Sequence, residues 1–279
     1  MTSVRIIGPG RAGTSLALAL TNVGWEVAPV LGRSDDVSGA ARGVHVLVIA
    51  TPDDAIGAVA EAVVPVPTTV VAHLSGSLGL AELGPHDRRA AIHPLVALPN
   101  PDLGSRRLFG AWFAVAGDPM ADAVVTALGG RAFTVADDDR AAYHAAASIA
   151  SNHLVALLGQ VQRLAGEVGV PFEAYLVLVR ATVANVAELG PRRALTGPAA
   201  RGDDATIRRH LRALPPEERK AYRGMVDAAR RLAAEPVDPP PADDIDDGSG
   251  TKRSGDRAAT GDGCSRPDPV DLDAATTPA

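Results

Sequence analysis

A glycine-rich segment near the start of the chain has the spacing that holds the pyrophosphate of a dinucleotide. An apolar run over 4–7 precedes it, and an apolar helical run over 15–20 follows it. In a G-x-G-x-x-G turn the first glycine permits the turn, the second lets backbone approach phosphate, and the third lets helix pack on strand. Unpaired N–H groups at the helix start then bind the anion. We predict cofactor contacts at Gly8, Pro9, Gly10, Arg11, Ala12 and Gly13. The alternative is a tight turn that binds nothing.

The residues after the second predicted strand favour NADP over NAD. An NAD site carries a carboxylate about 20 residues after the glycine turn, but Arg33 and Ser34 stand at this position. A guanidinium beside a hydroxyl suits the 2′-phosphate of NADP, which a carboxylate would repel. Asp35 and Asp36 follow directly and weaken the argument. A solvated loop arginine is the alternative, and NADP is the predicted cofactor.

Loops after further strands are expected to converge on the same crevice. In open parallel sheets, ligands bind outside the carboxyl ends of the strands. Segments 51–54 and 74–77 follow the third and fourth predicted strands, so they should join the glycine turn at one edge of the sheet. Thr51, Pro52 and Ser75 are therefore added to the predicted cofactor site.

Two histidines are candidates for protonating or hydrogen-bonding a reacting oxygen. His93 follows a short strand and precedes a proline, and His144 lies on a long alanine-rich helical segment. An imidazole can donate a proton near neutral pH. His93 is the first candidate and His144 the second, with a His144 bonded to a backbone carbonyl as the alternative. Together with His73 they show no metal-ligand spacing, so we predict no metal site.

Three further polar residues are candidate substrate ligands. Ser148 and Asn152 follow His144 at intervals of four, so the three share one slowly drifting stripe of the helix. Polar groups on an otherwise apolar face need partners or a ligand. Arg201, on a loop with glycines nearby, could bind a carboxylate through two hydrogen bonds, and surface solvation is the alternative. Asp203 is predicted to cap the following helix.

Composition limits the class of protein. The net charge of −6 arises from 236–279, which holds ten Asp and four Lys or Arg, so residues 1–235 are neutral. A neutral body without a basic stripe argues against nucleic-acid binding. No apolar run is long enough to span a bilayer, and no signal peptide is evident. A single cysteine, Cys264, excludes a disulfide framework. A cytoplasmic protein is expected.

Short apolar runs alternate with helical segments through the first half, which predicts an α/β fold. Strands are expected at 3–8, 26–31, 44–50, 68–73, 90–92, 111–116 and 131–135. From about Asp138 onward only helical patterns follow. We predict a Rossmann-type parallel-sheet domain that binds NADP over 1–137 and an all-helical substrate and dimerisation domain over 138–235. The remaining 236–279 should be a disordered acidic tail, because it lacks large apolar residues.

Together these motifs resemble a family of Rossmann-like oxidoreductases with a C-terminal domain of unknown function numbered 2520. The matching residues are Gly8 to Gly13, Thr51-Pro52-Asp53, His73 to Gly76, His93-Pro94, Tyr143-His144, Ser151-Asn152, and Thr196 to Asp203. The resemblance implies a dinucleotide-binding domain followed by a helical one. The broad group includes 6-phosphogluconate, 3-hydroxyisobutyrate and prephenate dehydrogenases and pyrroline-5-carboxylate reductase. Some family members resemble ketopantoate reductases of pantothenate synthesis. Helical domains of this group often dimerise, so a homodimer is expected.

One position departs from these relatives. Ketopantoate reductases of the usual type and hydroxyisobutyrate dehydrogenases place Lys-x-x-x-Asn on the first long helix of the second domain, whereas this chain has Ser148 and Asn152. Proton donation would then fall to His93 or His144. The expected function is an NADPH-dependent reductase of a small, ketopantoate-like 2-oxo acid. The alternatives are a prephenate dehydrogenase-like or pyrroline-5-carboxylate reductase-like enzyme, or an NADP-binding regulatory protein without catalysis.

Overall fold

The computed structural model describes residues 1–236. The tail predicted over 236–279 and Cys264 therefore lie outside the described residues, apart from Pro236. Across 1–236, seven strands form one sheet and nine α-helices accompany it.

The sheet has the strand order of a doubly wound α/β fold. Its strands are β1 (Ser3–Ile7), β2 (Glu26–Val27), β3 (Val46–Ile49), β4 (Val70–His73), β5 (Arg89–Pro94), β6 (Trp112–Gly117) and β7 (Arg131–Thr134). They are arranged β2-β1-β3-β4-β5-β6-β7, and every neighbouring pair is parallel except β5 and β6. The first five follow the 2-1-3-4-5 order of doubly wound sheets, in which the chain changes direction between β1 and β3. Ligands of such sheets bind at that point, outside the carboxyl ends of the strands.

The central strands are apolar on both faces because helices or turns cover both sides. Every residue of β3 and of β4 is buried. This burial explains why β3 reads as a continuous apolar run without alternation. Strands were expected at all seven of these places, and all seven form.

The second strand is shorter than predicted. Only Glu26 and Val27 pair regularly with β1, although the strand was expected over 26–31. Pro29 lacks an N–H group and cannot continue the ladder. The chain nevertheless stays beside β1, because the N–H of Leu31 donates to the carbonyl of Ile6 over 2.9 Å.

Helices of the first half cover both faces of the sheet. They are α1 (Arg11–Asn22), α2 (Asp53–Ala62), α3 (Pro101–Leu108) and α4 (Met120–Ala127). One apolar cluster joins α1, α3 and α4 to one face, with Leu16 and Leu20 at its centre. A second cluster joins α2 to the other face through Ile56. Each face therefore has its own core.

Helices make up the rest of the described chain. They are α5 (Arg140–Ser148), α6 (Leu154–Glu167), α7 (Phe172–Ala194), α8 (Asp204–Ala213) and α9 (Arg219–Ala234). A π-helical turn, Ile149–His153, joins α5 to α6. Gly190, with φ of 76°, interrupts α7 just before Pro191. The expected fold class, a Rossmann-type sheet followed by helices, is confirmed. The domain boundary between 137 and 138 stays a prediction.

Candidate functional site

The glycine turn has the backbone geometry that its sequence predicts. Gly8 has φ of 110°, and a Cβ built on it would lie 2.6 Å from the carbonyl oxygen of Ala50. A Cβ on Gly13 would overlap the carbonyl oxygen of Gly8. A Cβ on Gly10 would meet nothing within 4 Å. Gly8 and Gly13 are thus required for close packing, whereas Gly10 borders the open space that a phosphate would enter.

The start of α1 offers unpaired donors beside this turn. Gly10 is the residue before the helix, and no side chain caps it. The first backbone bond runs from the N–H of Thr14 to the carbonyl of Gly10, over 2.9 Å. The N–H groups of Arg11, Ala12 and Gly13 consequently have no helical acceptor. Together with the helix dipole they form an anion-binding end.

Arg33 and Ser34 lie exposed in the turn that follows β2. In the described residues Arg33 forms no hydrogen bond or ion pair. The neighbouring carboxylates are engaged locally: Asp35 accepts from the N–H of Gly32 at 2.6 Å, and Asp36 accepts from the N–H of Ser38 at 2.9 Å. The bond from Ser38 also lowers the pKa of Asp36. The two aspartates therefore shape the turn, and the guanidinium is left available to an anion.

A hydroxyl network fixes the loop after β4. Asp53, at the start of α2, accepts from the hydroxyl of Ser75 at 2.8 Å and from that of Ser77 at 2.7 Å. The Ser75 oxygen also accepts from the N–H of Leu78 at 3.1 Å. Ser75, predicted as a cofactor ligand, is thus buried, and its hydroxyl is already hydrogen-bonded to Asp53 and to Leu78 of its own loop. Thr51 and Pro52 precede α2 at the same edge, and the Thr51 hydroxyl is buried without a partner among the described residues.

Behind this loop three rings from two parts of the chain meet. His93 Nδ1 and the Tyr143 hydroxyl are 2.7 Å apart, which is a hydrogen bond. The rings of His93 and His144 meet edge to face, with centroids 5.6 Å apart. A Cβ on the buried Gly76 would lie 2.9 Å from His93 Nε2 and 2.8 Å from His144 Cδ2. Only a glycine fits between the two histidines.

The environment of His93 determines its charge. Burial first, and then the neighbouring His144 and Arg140, lower the pKa of His93 to about 4. The imidazole is therefore neutral at pH 7. Burial raises the pKa of Tyr143, so its phenol keeps its proton. Two arrangements satisfy this bond: either the phenol donates to Nδ1 and the ring proton resides on Nε2, which faces Gly76, or Nδ1 donates to the phenol oxygen. In the first arrangement His93 can offer a hydrogen bond from Nε2 without carrying a charge.

The π-helical turn determines where Asn152 lies. In an α-helix, a side chain four positions further along is rotated slightly more than one full turn about the axis, since a turn takes 3.6 residues. In the wider π turn the same four positions give slightly less than one full turn. The rotation that separates Ser148 from His144 is therefore largely reversed between Ser148 and Asn152. His144 and Ser148 are half-buried, Asn152 is exposed, and π turns occur frequently at functional sites.

Arg201 is not brought to the His93 cluster within the described chain. It is exposed between α7 and α8, and its N–H donates to the carbonyl of Gly197 at 3.3 Å. No hydrogen bond or ion pair across 1–236 joins it to His93, Tyr143 or His144. The nearby Asp203 caps α8 as predicted, because its carboxylate accepts from the N–H of Thr206 at 3.0 Å.

Sequence reasoning missed four residues of this region. Tyr143 was noted beside His144 without a role, because no spacing rule relates it to a histidine 50 positions earlier in the chain. Asp53 and Gly76 act through contacts between loops that no local pattern indicates. Arg140, three residues before Tyr143, is fully buried, which the sequence of an alanine-rich helix does not indicate.

Metal-binding clusters and membrane-spanning helices are both absent from residues 1–236. In the part of the chain that the structure describes, no group of three or more His, Cys, Asp or Glu residues is arranged to hold a metal ion. None of the helices within 1–236 has the length and apolar character needed to cross a membrane. The cytoplasmic location stays a prediction.

Comparison with known proteins defines the class of fold. Residues 112–229 match the family model described as "Domain of unknown function (DUF2520)", which covers less than half of the chain. No curated protein matches. Many solved structures do, and the chain is a Rossmann-like α/β protein with a following helical region.

Three of these structures illustrate the likeness. A Bacteroides fragilis protein provisionally described as an NADP oxidoreductase is 20% identical, with a TM-score of 0.71 over 82% of this chain and 98% of that one. A reductive aminase from Aspergillus terreus in complex with NADPH4, cyclohexanone and allyl amine is 18% identical, with a TM-score of 0.62 over 85% and 97%. Pyrroline carboxylate reductase from Plasmodium falciparum with NADP bound is 12% identical, with a TM-score of 0.55 over 84% and 98%. At these identities the likeness concerns the fold alone.

Proposed function

We propose that the protein is an NADPH-dependent reductase of a small carbonyl or imine substrate. The observation that carries the proposal is the 2.7 Å bond between Tyr143 and a neutral His93. This pair lies at the carboxyl edge of the sheet that also holds the glycine turn. Three contacts link the glycine turn to the His93–Tyr143 pair. Gly8 packs against Ala50, Asp53 accepts a hydrogen bond from Ser75, and Gly76 packs against His93.

The residues present fit NADP. The uncapped start of α1 would hold the pyrophosphate, and Gly10 leaves room for it. Arg33 and Ser34 would meet the 2′-phosphate, since Asp35 and Asp36 are turned to local N–H groups. When bound, the reduced nicotinamide supplies the hydride. The proteins that share the fold and carry NADP or NADPH, the Plasmodium and Aspergillus reductases, support this choice.

His93 is the proposed donor to the substrate oxygen or nitrogen. Negative charge develops on that atom as the carbon is reduced, and a fixed donor facing it stabilises the transition state. A neutral imidazole with its proton on Nε2 provides such a donor, and the proposal assigns to Tyr143 the role of holding the ring in this tautomer. The proton that completes the alcohol or amine comes from solvent. His144 closes the other side of Gly76 and is the second candidate. Ser148 and Asn152 are proposed to orient the substrate.

The substrate is proposed to be a 2-oxo acid of the ketopantoate kind. A cyclic imino acid such as pyrroline-5-carboxylate is the second candidate, favoured by the fold shared with the Plasmodium enzyme. Both carry a carboxylate. From the sequence, Arg201 was the candidate for holding that carboxylate, and this assignment stays a proposal for which the described contacts give no support.

We further propose a homodimer formed through the helical region. Large apolar side chains are exposed along it: Ile149, Leu154, Val155, Val177, Leu178, Val183, Val186 and Leu189. None of the residues of α7 is buried. Apolar patches of this extent mark interfaces. A second copy would cover them.

A substrate panel tests the activity. Oxidation of NADPH is measured with ketopantoate, 3-methyl-2-oxobutanoate and pyrroline-5-carboxylate, with NADH as the matched cofactor control. The proposal expects turnover with at least one of them and a clear preference for NADPH. Tight NADPH binding without turnover on any substrate would indicate the regulatory alternative instead.

A further inference from the structure

Arg140 is an unusual charged residue of this chain because it is completely covered. It begins α5, and its side chain is 0% exposed. Arginine is almost never fully buried unless it is paired, since removing its charge from water is unfavourable. A covered guanidinium therefore needs an explanation in terms of its partners.

Its partners in the described chain are few. Nε lies 3.4 Å from Oδ1 of Asp137, whose side chain is 46% exposed. The other oxygen of Asp137 accepts from the N–H of Leu80 at 3.0 Å. No guanidinium nitrogen of Arg140 has a hydrogen-bond partner within 1–236. A structural arginine stabilises a fold through its five N–H donors. Within 1–236, Arg140 uses none of these N–H donors in a hydrogen bond. The role of its positive charge therefore remains to be explained.

The charge lies next to the proposed reaction centre. Tyr143 and His144 follow Arg140 by three and four residues, so the three side chains share one face of α5. Tyr143 bonds to His93, and His144 contacts the His93 ring. Burial is the larger cause of the lowered pKa values of His93 and His73; the positive charge of Arg140 lowers both further, and the carboxylate of Asp53 acts in the opposite direction. The Arg140 guanidinium is thus a fixed cation behind the His93 ring, which is neutral at pH 7.

We infer that Arg140 is a positioning residue whose buried positive charge makes the site select an anionic substrate and stabilises the negative charge that develops there. This inference rests on the proposed function and deepens it, since it assigns a carboxylate to the substrate. Arg140 acts through its field and needs no contact with the substrate, which agrees with its full burial. Two charges interact more strongly in a covered site than in water.

The test combines two substrates with four proteins. The substrates are 3-methyl-2-oxobutanoate and its methyl ester, which lacks the carboxylate charge and carries one additional methyl group. The proteins are the wild type, Arg140→Met, Arg140→Lys and Arg212→Met, the last a matched control at an exposed arginine of α8. The wild type and Arg212→Met should prefer the acid in kcat/KM by about tenfold or more. Arg140→Met should lose this preference, and Arg140→Lys should restore most of it.

Stability separates this role from a structural one. A buried charge without hydrogen bonds opposes folding, and the carboxylate that Arg140→Met leaves behind, Asp137, is 46% exposed and can be hydrated. Arg140→Met should therefore unfold at the same or a higher temperature and bind NADPH as the wild type does. If both substrates lost activity by the same factor, so that the preference for the acid remained, the inference would be wrong.

A binding measurement separates the inference from the proposed function. Should the wild type reduce no substrate, the proposed activity fails, and calorimetric titration of the acid and the ester into the protein with NADP still tests Arg140. Tighter binding of the acid that disappears in Arg140→Met would support the inference. Equal binding of acid and ester by the wild type would overturn it.

Discussion

The sheet half and the helical half of the described chain are built differently. From Val4 to Val135 apolar side chains are buried on both faces of the sheet. From Arg140 onward, within 1–236, the only buried apolar residues are Ala165, Ile207 and Val226. The sheet half is therefore complete by itself, whereas the helical half exposes the apolar surface that a second copy would cover. Its first helix, α5, contacts the sheet half through Tyr143.

The candidate site lies where the two halves meet. His93 belongs to β5 of the sheet half, and Tyr143 and His144 belong to α5 of the helical half. The proposed chemistry consequently depends on both halves, while the proposed cofactor contacts depend on the sheet half alone. Variants in each half should separate cofactor binding from turnover.

The largest effect is expected from Gly8→Ala in the sheet half. The new Cβ would lie 2.6 Å from the Ala50 oxygen at a φ of 110°, a strain on the order of 1–3 kcal/mol. The turn must shift, so NADPH affinity measured by calorimetry should fall about a hundredfold. Gly166→Ala, in α6 with nothing within 4 Å of the new Cβ, is the control and should bind NADPH normally. Unchanged affinity in Gly8→Ala would remove the glycine turn from the cofactor site.

A charge introduced in the helical half should break the proposed dimer without weakening NADPH binding. Leu178 is 61% exposed on α7, and Leu178→Glu would place a carboxylate in the proposed interface. Light scattering after size-exclusion chromatography should show a monomer that still binds NADPH. Glu173→Gln, on the same helix, should remain dimeric. A wild-type monomer would contradict the proposed assembly.

Tyr143→Phe should reduce turnover without weakening NADPH binding. It removes the hydroxyl that fixes the His93 tautomer, so kcat should fall roughly tenfold to a hundredfold. Tyr175→Phe, on α7, is the control, because Tyr175 has no hydrogen bond within the described residues. Equal kcat values for both variants would remove the Tyr143 hydroxyl from the mechanism.

Arg33→Asp should change cofactor preference. Loss of a charge-assisted bond and the added repulsion should weaken NADPH about tenfold or more, because such bonds contribute roughly 1.5–3 kcal/mol. Affinity for NADH should change little, since it lacks the 2′-phosphate. The ratio of the two dissociation constants is the measurement, and an unchanged ratio would favour a solvated Arg33.

The smallest expected effect is the change of turnover with pH near neutrality. With a pKa of about 4, His93 is neutral through the physiological range, so turnover should be level there and decline only as pH falls toward 4. The pKa of His93 in the folded protein lies below the ordinary value of 6.5. Between about pH 4 and pH 6.5 the unfolded chain therefore binds more protons than the folded protein does. The free energy of unfolding should therefore fall as pH drops from about 6.5 to about 4. In His93→Gln this part of the pH dependence should be absent.

The sequence was sufficient where structure follows from local pattern. The strands, the glycine turn and the Asp203 cap each depend on a few neighbouring residues, and all of them form. The candidate site was predicted only in part. His93 and His144 were both named as candidates and lie together, but the bond to Tyr143 spans 50 positions and follows from how α5 packs. The hydrogen bond from Ser75 to Asp53 and the burial of Arg140 likewise arise from tertiary contacts, which sequence spacing does not predict.

Isotope transfer tests the central claim most directly. NADPH carrying deuterium at its transferring position is incubated with the wild type and with His93→Gln, together with ketopantoate or pyrroline-5-carboxylate. The account predicts deuterium on the reduced carbon of the product with the wild type and far less with the variant, while both proteins bind NADPH equally. Binding of NADPH by the wild type without label in any product, or equal label from both proteins, would contradict it.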